Sequence, residues 1–220
     1  MFKTELHCHS LDISQCARVS TTDIIERYTN GGYNTLVLSN HFTLDTMKNK
    51  ANGWEDFVEK FVGAYEKLKA EAQGKLNILL GAELRFNQNS NDYLLFGITK
   101  NFLLAHPEIF DLNPEKLYPI LKENNILIIQ AHPFRNGMTV IRPCFLDGVE
   151  VFNGHMGHDS RNEIADAWAD KFGLIKTSGT DFHYKDVPTN AGILTENEIV
   201  SMEQLVEVLK SGNYTLVREI

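Results

Sequence analysis

The stretch Glu5-Leu6-His7-Cys8-His9-Ser10 places two histidines one residue apart near the start of the chain. Side chains alternate along residues 2–9, which predicts a β-strand with both histidines on one face and Cys8 on the other. Two imidazoles about 7 Å apart along a strand can bind one metal ion, since histidine is a common metal ligand near neutral pH. Two polar residues on a half-exposed strand that binds no metal would give the same sequence pattern. The prediction of a metal site therefore depends on the rest of the chain.

The composition is that of an ordinary soluble globular protein. The chain has 220 residues, of which 43% are hydrophobic and 23% charged, and we expect one domain over residues 1–220. No stretch approaches the roughly 18 to 20 apolar residues of a membrane span. We therefore expect a cytoplasmic protein with no membrane partner. The sequence leaves its oligomeric state open.

Charge and cysteine content restrict the function further. The formal net charge is -8, which argues against an extended nucleic-acid partner, because such binding needs a basic surface. Small phosphorylated substrates remain compatible with it. The cysteines at 8, 16 and 144 are odd in number and have no CxxC spacing. We expect reduced thiols rather than disulfides or a zinc ribbon.

Helical and strand patterns alternate from end to end, which predicts an α/β fold. Apolar stripes predict helices that start near Ser20, Trp54, Asn113, Ile164 and Ser201. The segment 99–111 is ambiguous. The predicted strands are short and rich in β-branched residues or leucine, and they cover residues 35–38, 77–80, 93–98, 126–129, 148–152, 174–177 and 214–217.

A histidine, aspartate or glutamate follows nearly every predicted strand. In a parallel β/α architecture the carboxyl ends of the strands share one rim, so these side chains would converge there. Any single member has an ordinary structural explanation, but chance does not account well for the whole set. The candidate metal ligands are His7, His9, His41, Glu83, His132, Asp181 and His183.

This set exceeds what one tetrahedral ion needs, since such an ion takes about four ligands. The sequence therefore predicts more than one ion, with a carboxylate such as Glu83 bridging. Mixed nitrogen and oxygen ligands fit zinc, manganese or iron and do not choose among them. We expect two or three divalent metal ions as cofactors.

The order and spacing of these motifs resemble the PHP (polymerase and histidinol phosphatase) superfamily over nearly the whole chain. The resemblance implies a distorted (β/α)7 barrel with a two- or three-metal site. It also implies hydrolysis of a small phosphate ester by metal-activated water. The motifs that carry it are His7-Cys8-His9, Ser39-Asn40-His41, Gly81-Ala82-Glu83, Ala131-His132-Pro133 and Gly179-Thr180-Asp181-Phe182-His183.

Carried over, the resemblance implies three sets of ligands. His7, His9, Glu83 and Asp181 would bind one ion, His41 and His183 a second, and Glu83 with His132 a third. The chain also departs from the family pattern. Asn40 replaces the usual aspartate before His41, and Ser14 and Gln15 stand where a loop histidine or aspartate is usual. Asp12 or Cys16 could supply that loop ligand, and the sequence does not decide between them. A further histidine expected between Glu83 and His132 is not evident near residues 97–100.

Three basic side chains are candidates for binding the substrate. Hydrolysis of a phosphate ester needs positive charge on the non-bridging oxygens. Arg135 follows His132 by three residues, and Arg18 lies in the loop after the first motif. His155 follows a predicted strand, so it would sit on the same rim. We assign substrate binding to Arg18, Arg135 and His155, and catalysis to His41, Asp181 and Arg135.

Two other functions remain open. Amidohydrolases also begin with His-x-His on a barrel strand, but they resemble a full (β/α)8 barrel of about 250 residues or more and usually bridge their metals with a modified lysine. The second alternative is a degenerate metal-binding or sensor domain without phosphatase activity. The replaced residues at positions 14, 15 and 40 favour this second alternative.

Overall fold

A computed structural model describes residues 1–219 of the chain. Its strands form one sheet that nearly closes into a barrel, in the order β10-β9-β1-β2-β4-β5-β6-β7-β8 with β3 paired to β4. The strands are β1 (Phe2–Cys8), β2 (Thr35–Leu38), β3 (His41–Phe42), β4 (Asn77–Arg85), β5 (Asp92–Phe96), β6 (Leu127–Gln130), β7 (Gly148–Asn153), β8 (Ile175–Gly179), β9 (Ala191–Thr195) and β10 (Thr215–Arg218).

The barrel closes between its first strand and the segment that follows β8. The backbone N–H of Phe182 donates to the carbonyl of His7 at 3.3 Å, and the N–H of His9 donates to the carbonyl of Phe182 at 3.1 Å. β9 and β10 lie outside this closure, because β9 adds to β1 in the antiparallel direction. Strands β1, β2, β4, β5, β6, β7 and β8 thus form a distorted seven-stranded barrel. The predicted fold is confirmed.

One strand of the barrel departs from the all-parallel arrangement that the sequence suggested. β5 pairs antiparallel with both β4 and β6, whereas β1, β2 and β4, and separately β6, β7 and β8, run parallel. The amino end of β5 therefore lies at the rim that the carboxyl ends of its neighbours share. Asp92, the first residue of β5, therefore lies at this rim. It was not predicted as a ligand, because candidates were sought after the carboxyl end of each predicted strand.

Helices cover the outside of the barrel and begin at clear sequence signals. Ser20 and Asp23 form a capping box at the first helix, and Asn113 caps a helix whose first residue is Pro114. No helix within the described residues is long and apolar enough to cross a membrane. The helices are α1 (Thr21–Asn30), α2 (Leu44–Lys50), α3 (Trp54–Ala72), α4 (Lys100–Ala105), α5 (Pro114–Glu123), α6 (Asn162–Phe172) and α7 (Met202–Ser211).

Several boundaries differ from the sequence-based prediction. The ambiguous segment 99–111 forms α4, capped by the Thr99 side chain, and a short 3-10 helix at Ile109–Asp111. The sequence analysis did not identify α2 or β9. β4 continues to Arg85, so Glu83 lies within the strand rather than beyond its end. β4 is longer than predicted because β5 pairs with it in the antiparallel direction, with Leu94 opposite Glu83.

The lower part of the barrel is filled with apolar side chains, and α7 closes it. Leu6, Val37 and Phe96 belong to one buried cluster together with Leu205 and Leu209 of α7. A bulge in β1 between Glu5 and Cys8 shifts the register against β2. As a result the strict alternation predicted for β1 is broken, and Cys8 lies in the cluster outside the barrel. The apolar floor leaves the upper rim for polar side chains.

Glycine at position 179 is required because β8 passes close to β1 there. A Cβ at Gly179 would overlap His7 Cβ and the Glu150 carboxylate. We expect Gly179→Ala to destabilise the fold by about 1 to 3 kcal/mol and to displace His7. Gly63→Ala in α3 is the matched control, because its Cβ meets no neighbouring atom and alanine favours a helix by about 0.5 to 1 kcal/mol. Urea unfolding measures the free energy of unfolding of both variants. Equal values for the two would contradict a close approach of β8 to β1 at Gly179.

Candidate metal centre

His7 in β1 and His9 just after this strand are each held by a hydrogen bond on one ring nitrogen. His7 Nδ1 lies 2.9 Å from Glu150 Oε1, and His9 Nδ1 lies 3.0 Å from Ser14 Oγ. Both rings are fully buried. When Nδ1 carries the proton and donates it, the lone pair is on Nε2. Both Nε2 atoms are therefore prepared to act as ligands.

Glu83 lies at the centre of the cluster and contacts four imidazoles. Its Oε1 is 3.3 Å from His7 Nε2 and 3.1 Å from His132 Nε2. Its Oε2 is 3.3 Å from His9 Nε2 and 2.7 Å from His41 Nδ1. A carboxylate that presents both oxygens to separate pairs of histidines has the arrangement of a bridging ligand.

Several of these close contacts are not hydrogen bonds. Among the described residues, His7 Nε2, His9 Nε2, His41 Nδ1 and Glu83 Oε2 are buried without a hydrogen-bond partner. Burying such groups unpaired costs roughly 1 to 3 kcal/mol each. Lone pairs that point toward common positions instead of at one another are what a metal site requires. The donors present therefore fit divalent metal ions.

Asp181 joins the cluster from the segment after β8. Its Oδ1 lies 3.5 Å from both His7 Nε2 and His9 Nε2, while its Oδ2 accepts a hydrogen bond from Arg135 Nη2 at 2.7 Å. Asp181 has a φ of 53° and His132 a φ of 29°. A positive φ is uncommon for residues other than glycine, and such conformations cluster at functional sites. The backbone is thus held in an unusual conformation that brings both side chains into the cluster.

The structure brings all seven sequence-predicted ligands together. Their ligand atoms, with one further aspartate, form four groups in which every atom lies within 4.8 Å of the others. Eight residues in four overlapping groups fit more than one ion, since a tetrahedral ion takes about four ligands, and the two carboxylate oxygens of Glu83 can serve two of the groups. The groups are His7-His9-Glu83, His7-His132-Asp181, His9-His41-His183 and Glu83-Asp92-His132.

The further aspartate is Asp92, which the sequence analysis missed. It is buried at the amino end of β5 and makes a two-pronged ion pair with Arg85, with both N···O distances 2.7 Å. Burial and the neighbouring Glu83 raise the pKa of Asp92. A search for an acid immediately before β5 would have found it, had the antiparallel direction of this strand been known.

Three polar residues orient the ligands from behind, and the sequence analysis did not assign them this role. Glu150 of β7 contacts His7 through Oε1 and accepts the backbone N–H of His132 through Oε2 at 3.0 Å. Ser14 contacts His9 and donates its hydroxyl to Asn40 Oδ1 at 2.9 Å. Ser14 and Asn40, two of the departures from the family pattern, therefore act together in positioning His9.

The charges of the cluster stabilise one another. Burial alone would raise the pKa of Glu83, but attraction by His7 and His41 holds it well below its usual range. Burial likewise opposes the attraction that lowers the pKa of Asp181 and raises that of His41 to about 10. The pKa of His183 is raised to about 9 by its contacts with Asp181 despite burial. A metal ion must displace these imidazole protons, so binding releases protons.

Cys16 is an exposed residue of the loop after the first motif, and it lies beside the histidines. Its Sγ is 3.2 Å from His41 Nε2. Burial would raise the pKa of Cys16, but hydrogen bonds to His183 and His41 lower it to about 6. The alternative loop residue, Asp12, forms an ion pair with Lys67 at 2.9 Å. Of the two loop candidates, only Cys16 contacts the cluster.

The three predicted substrate-binding residues lie at different distances from the cluster. The Arg135 side chain lies within the cluster and is only 14% exposed. Besides its bond to Asp181, its Nη2 donates to Asn153 Oδ1 at 3.2 Å. His155 is beside it, with its ring centroid 5.8 Å from that of His183. The guanidinium of Arg18 donates instead to the carbonyls of Gln15 and Ala17, at 2.6 and 3.0 Å. The structure does not bring the Arg18 guanidinium into contact with the ligands.

No protein-family model and no curated protein sequence matches the chain. Solved structures do match. A two-domain protein from Bacteroides vulgatus containing a predicted PHP-like metal-dependent phosphoesterase is 16% identical, with a TM-score of 0.71 over 99% of this chain and 65% of that one. PsfC from Pseudomonas syringae is also 16% identical, with a TM-score of 0.72 over 99% and 91%. This chain thus spans slightly less than two thirds of the two-domain protein.

A third match corrects one expectation from the sequence. Endonuclease Q, solved with a 27-mer duplex substrate that has an abasic lesion at the active site, is 15% identical with a TM-score of 0.65 over 96% of this chain and 56% of that one. The exclusion of extended nucleic acid was wrong, because this fold occurs in a protein that binds duplex DNA. The formal charge also overstates the acidity of the surface, because five of the 29 acidic residues are buried, namely Glu5, Glu83, Asp92, Glu150 and Asp181. They add little to the surface that a partner meets.

The solved structures with the same fold and the geometry of the ligand cluster both agree with the sequence motifs. The matches cover nearly the whole described chain, and one of them is the two-domain protein containing a predicted PHP-like metal-dependent phosphoesterase. The histidine and carboxylate positions lie together at one rim of the barrel. The chain therefore has the fold of these solved structures, and the barrel fold that the motifs implied is confirmed.

Proposed function

We propose that the protein is a metal-dependent phosphoesterase that hydrolyses a small phosphate ester. The observation that carries this proposal is the position of Glu83 among four imidazoles. Among the described residues, Glu83 Oε2 and the facing nitrogens of His7, His9 and His41 are buried without hydrogen-bond partners. The site requires two or three divalent ions, for which zinc, manganese and iron suit the donor set. A cytoplasmic location stays a prediction of the sequence.

The ligands divide into three sets under this proposal. His7, His9, Glu83 and Asp181 would hold the first ion, and His41 with His183 would hold a second. His132 and Glu83 hold a third, and Asp92 is close enough to join them, since its Oδ2 is 3.9 Å from His132 Nε2. Ions bound there would supply Lewis acidity toward a phosphoryl oxygen and lower the pKa of water. No serine or cysteine nucleophile is then needed.

The remaining groups at the rim bind and orient the substrate. Arg135 Nη2 is engaged by Asp181 and Asn153, which fixes the guanidinium beside the ligands. Its Nε has no hydrogen-bond partner within residues 1–219, so the group retains donors for a phosphate oxygen. His155 is half-buried next to His183 and borders the same opening. Of the assigned catalytic residues, His41 and Asp181 act as ligands and Arg135 stabilises negative charge.

Two alternatives differ from this proposal in observable ways. In an amidohydrolase of the usual kind a modified lysine bridges the metals, whereas here Glu83 lies between the histidines and would take that position. A degenerate sensor domain would bind metal without turnover. Asn40 and Ser14, which favoured that alternative in the sequence, are used in the structure to hold His9. Their replacement therefore does not remove a ligand from the first ion.

The proposal is tested by a substrate screen with metal-stripped protein reloaded with zinc, manganese or iron(II). The panel comprises phosphomonoesters, phosphodiesters, a duplex oligonucleotide with an abasic site, and cyclic and linear amides. We expect hydrolysis of at least one small phosphate ester that stops on chelation. Turnover of amides alone would favour the amidohydrolase, and cleavage of the oligonucleotide alone would reject the small ester. Metal-loaded protein with no turnover would favour the sensor.

Arg135 gives the prediction most specific to phosphate. We expect Arg135→Ala to lower kcat/KM on the best ester by about 30- to 1000-fold, the usual effect of losing a charged hydrogen bond to an oxyanion. Metal content should stay the same, because Arg135 contacts Asp181 Oδ2 and not the Oδ1 that faces the histidines. Steady-state kinetics with elemental analysis is the measurement.

The matched control is Arg142→Ala, since Arg142 stacks on Phe145 at 5.3 Å and contacts no candidate ligand among the described residues. It should keep the wild-type kcat/KM. An Arg135→Ala protein with unchanged kcat/KM would remove Arg135 from the substrate site.

A further inference from the structure

A cavity of about 850 Å³ lies next to the metal centre, between one face of α6 and the segments at the ends of β9 and β10. It opens at the same rim of the barrel as the candidate ligands. β7 and β10 end at this rim, and β9 begins there because it runs antiparallel to β1. A cavity of this volume is large enough for a small organic molecule.

The cavity and the metal centre share part of one wall. Asn153 lines the cavity, and its side chain donates to Asp181 Oδ2 at 3.2 Å and accepts from Arg135 Nη2 at 3.2 Å. His155 also lines the cavity, and its ring centroid is 5.8 Å from that of His183. The organic part of an ester whose phosphate lies beside Arg135 can therefore extend into this cavity.

Several apolar side chains form the parts of the wall that are farther from the ligands. Phe152, Met156 and Pro188 line the cavity together with Ala167 of α6. Ala167 is exposed, and its small side chain leaves space above this turn of the helix. An apolar wall with a few polar groups suits the carbon skeleton of a bound molecule.

The charged groups around the cavity are mostly acidic. Glu163, Asp166 and Asp170 lie on the face of α6 that lines it. Arg218 makes a two-pronged ion pair with Asp166, with both N···O distances 3.0 Å, and Lys176 pairs with Asp166 and Asp170. Glu163 is exposed and forms no ion pair within residues 1–219. Three carboxylates against two basic groups leave this region net negative.

We propose that this cavity binds the alcohol part of the phosphate ester, and that Glu163 selects an alcohol part with hydroxyl or amino groups and no second anionic group. A carboxylate accepts hydrogen bonds from hydroxyl and ammonium groups, and it repels a carboxylate or a second phosphate. The inference rests on the proposed phosphoesterase activity and adds the chemical class of the substrate.

Three sugar phosphates with the same ring test the selection by charge. The anomeric phosphates of glucose, glucosamine and glucuronic acid are added as competitors while metal-loaded protein hydrolyses the best ester of the screen. We expect the inhibition constant of the glucuronic acid phosphate to exceed the other two by at least about 10-fold, because it brings a carboxylate near Glu163. Glu163→Gln should reduce this difference to about 3-fold or less.

The matched control is Glu55→Gln. Glu55 is the second residue of α3, as Glu163 is of α6, so both substitutions remove an acid from the first turn of a helix. Glu55 does not line the cavity. The control should keep the wild-type ratio of inhibition constants.

A second variant tests the location of the alcohol part. Ala167→Trp places a large side chain in the cavity and should raise the inhibition constants of all three sugar phosphates by at least about 10-fold. Inorganic phosphate should inhibit as it does in wild type, because it needs only the metal centre. Ala70→Trp, at an exposed position of α3 outside the cavity, is the control and should change none of these constants.

The outcomes separate this inference from the proposed function. Hydrolysis of an ester by wild type, with equal inhibition or no inhibition by the three sugar phosphates, would overturn the cavity as the alcohol site. Wild-type constants in Ala167→Trp, or an equal loss of inhibition by inorganic phosphate, would do the same. Wild-type protein that hydrolyses no phosphate ester in the screen would overturn the proposed function and this inference with it.

Discussion

Asp181→Asn is expected to reduce metal-dependent phosphoester hydrolysis by roughly 1000-fold, the upper range for removal of a preorganised charge. Asp181 Oδ1 faces His7 and His9, so the substitution takes a charged ligand from the first ion. Asparagine is preferred to alanine here because residue 181 has a φ of 53°, a conformation that asparagine tolerates well. The loss is then chemical and not a consequence of backbone strain.

The control for this variant is Asp12→Asn. Asp12 is an acid in the loop after the first motif, but it pairs with Lys67 and contacts no candidate ligand among the described residues. We expect it to retain wild-type kcat/KM and metal content. Asp181→Asn with full metal-dependent activity would contradict the assignment of Asp181, whatever the substrate.

The second large effect is on stability. Without ions, the buried imidazoles and carboxylates of the cluster include several atoms without hydrogen-bond partners. A ligand at 1000 times its Kd stabilises a native protein by about 4 kcal/mol. For a chain of this size each kcal/mol raises Tm by about 2 to 4 °C. We therefore expect saturating zinc or manganese to raise Tm by about 8 to 16 °C for each ion bound.

Glu83→Gln separates this effect from nonspecific ion binding. Glu83 contributes to two of the four ligand groups and contacts four histidines. The variant should lose most of the metal-induced rise in Tm. Differential scanning calorimetry of metal-free and metal-loaded samples measures it. A wild-type Tm that does not respond to metal would contradict the account, as would a full response in Glu83→Gln.

The sequence predicted those parts of the site that depend on local pattern. The sequence of residues 2–9 alternates, which suggested that His7 and His9 share a face. His132 and Asp181 follow short apolar strands, so their common rim followed from parallel topology. Asp92 was missed because β5 runs antiparallel. That direction is set by long-range pairing with β4 and β6, and the local sequence of β5 does not encode it.

The residues that hold the ligands in place were not predicted from the sequence, for a related reason. Glu150 lies within β7, and Ser14 lies in a loop, so each has an ordinary local interpretation. Their roles come from contacts far along the chain, between Glu150 and His7 and between Ser14 and Asn40. The bulge in β1 is likewise a property of its pairing with β2. Such features follow from tertiary structure, which periodicity does not describe.

The measurement that tests the central claim most directly is the metal stoichiometry of the wild-type chain. Protein dialysed against a chelator is re-equilibrated with zinc or manganese, freed of unbound ion, and analysed for metal per chain. The account predicts saturation at two or three ions per chain, because Glu83 links overlapping groups of ligands. Saturation at a single ion, or no retained metal, would contradict a multinuclear centre.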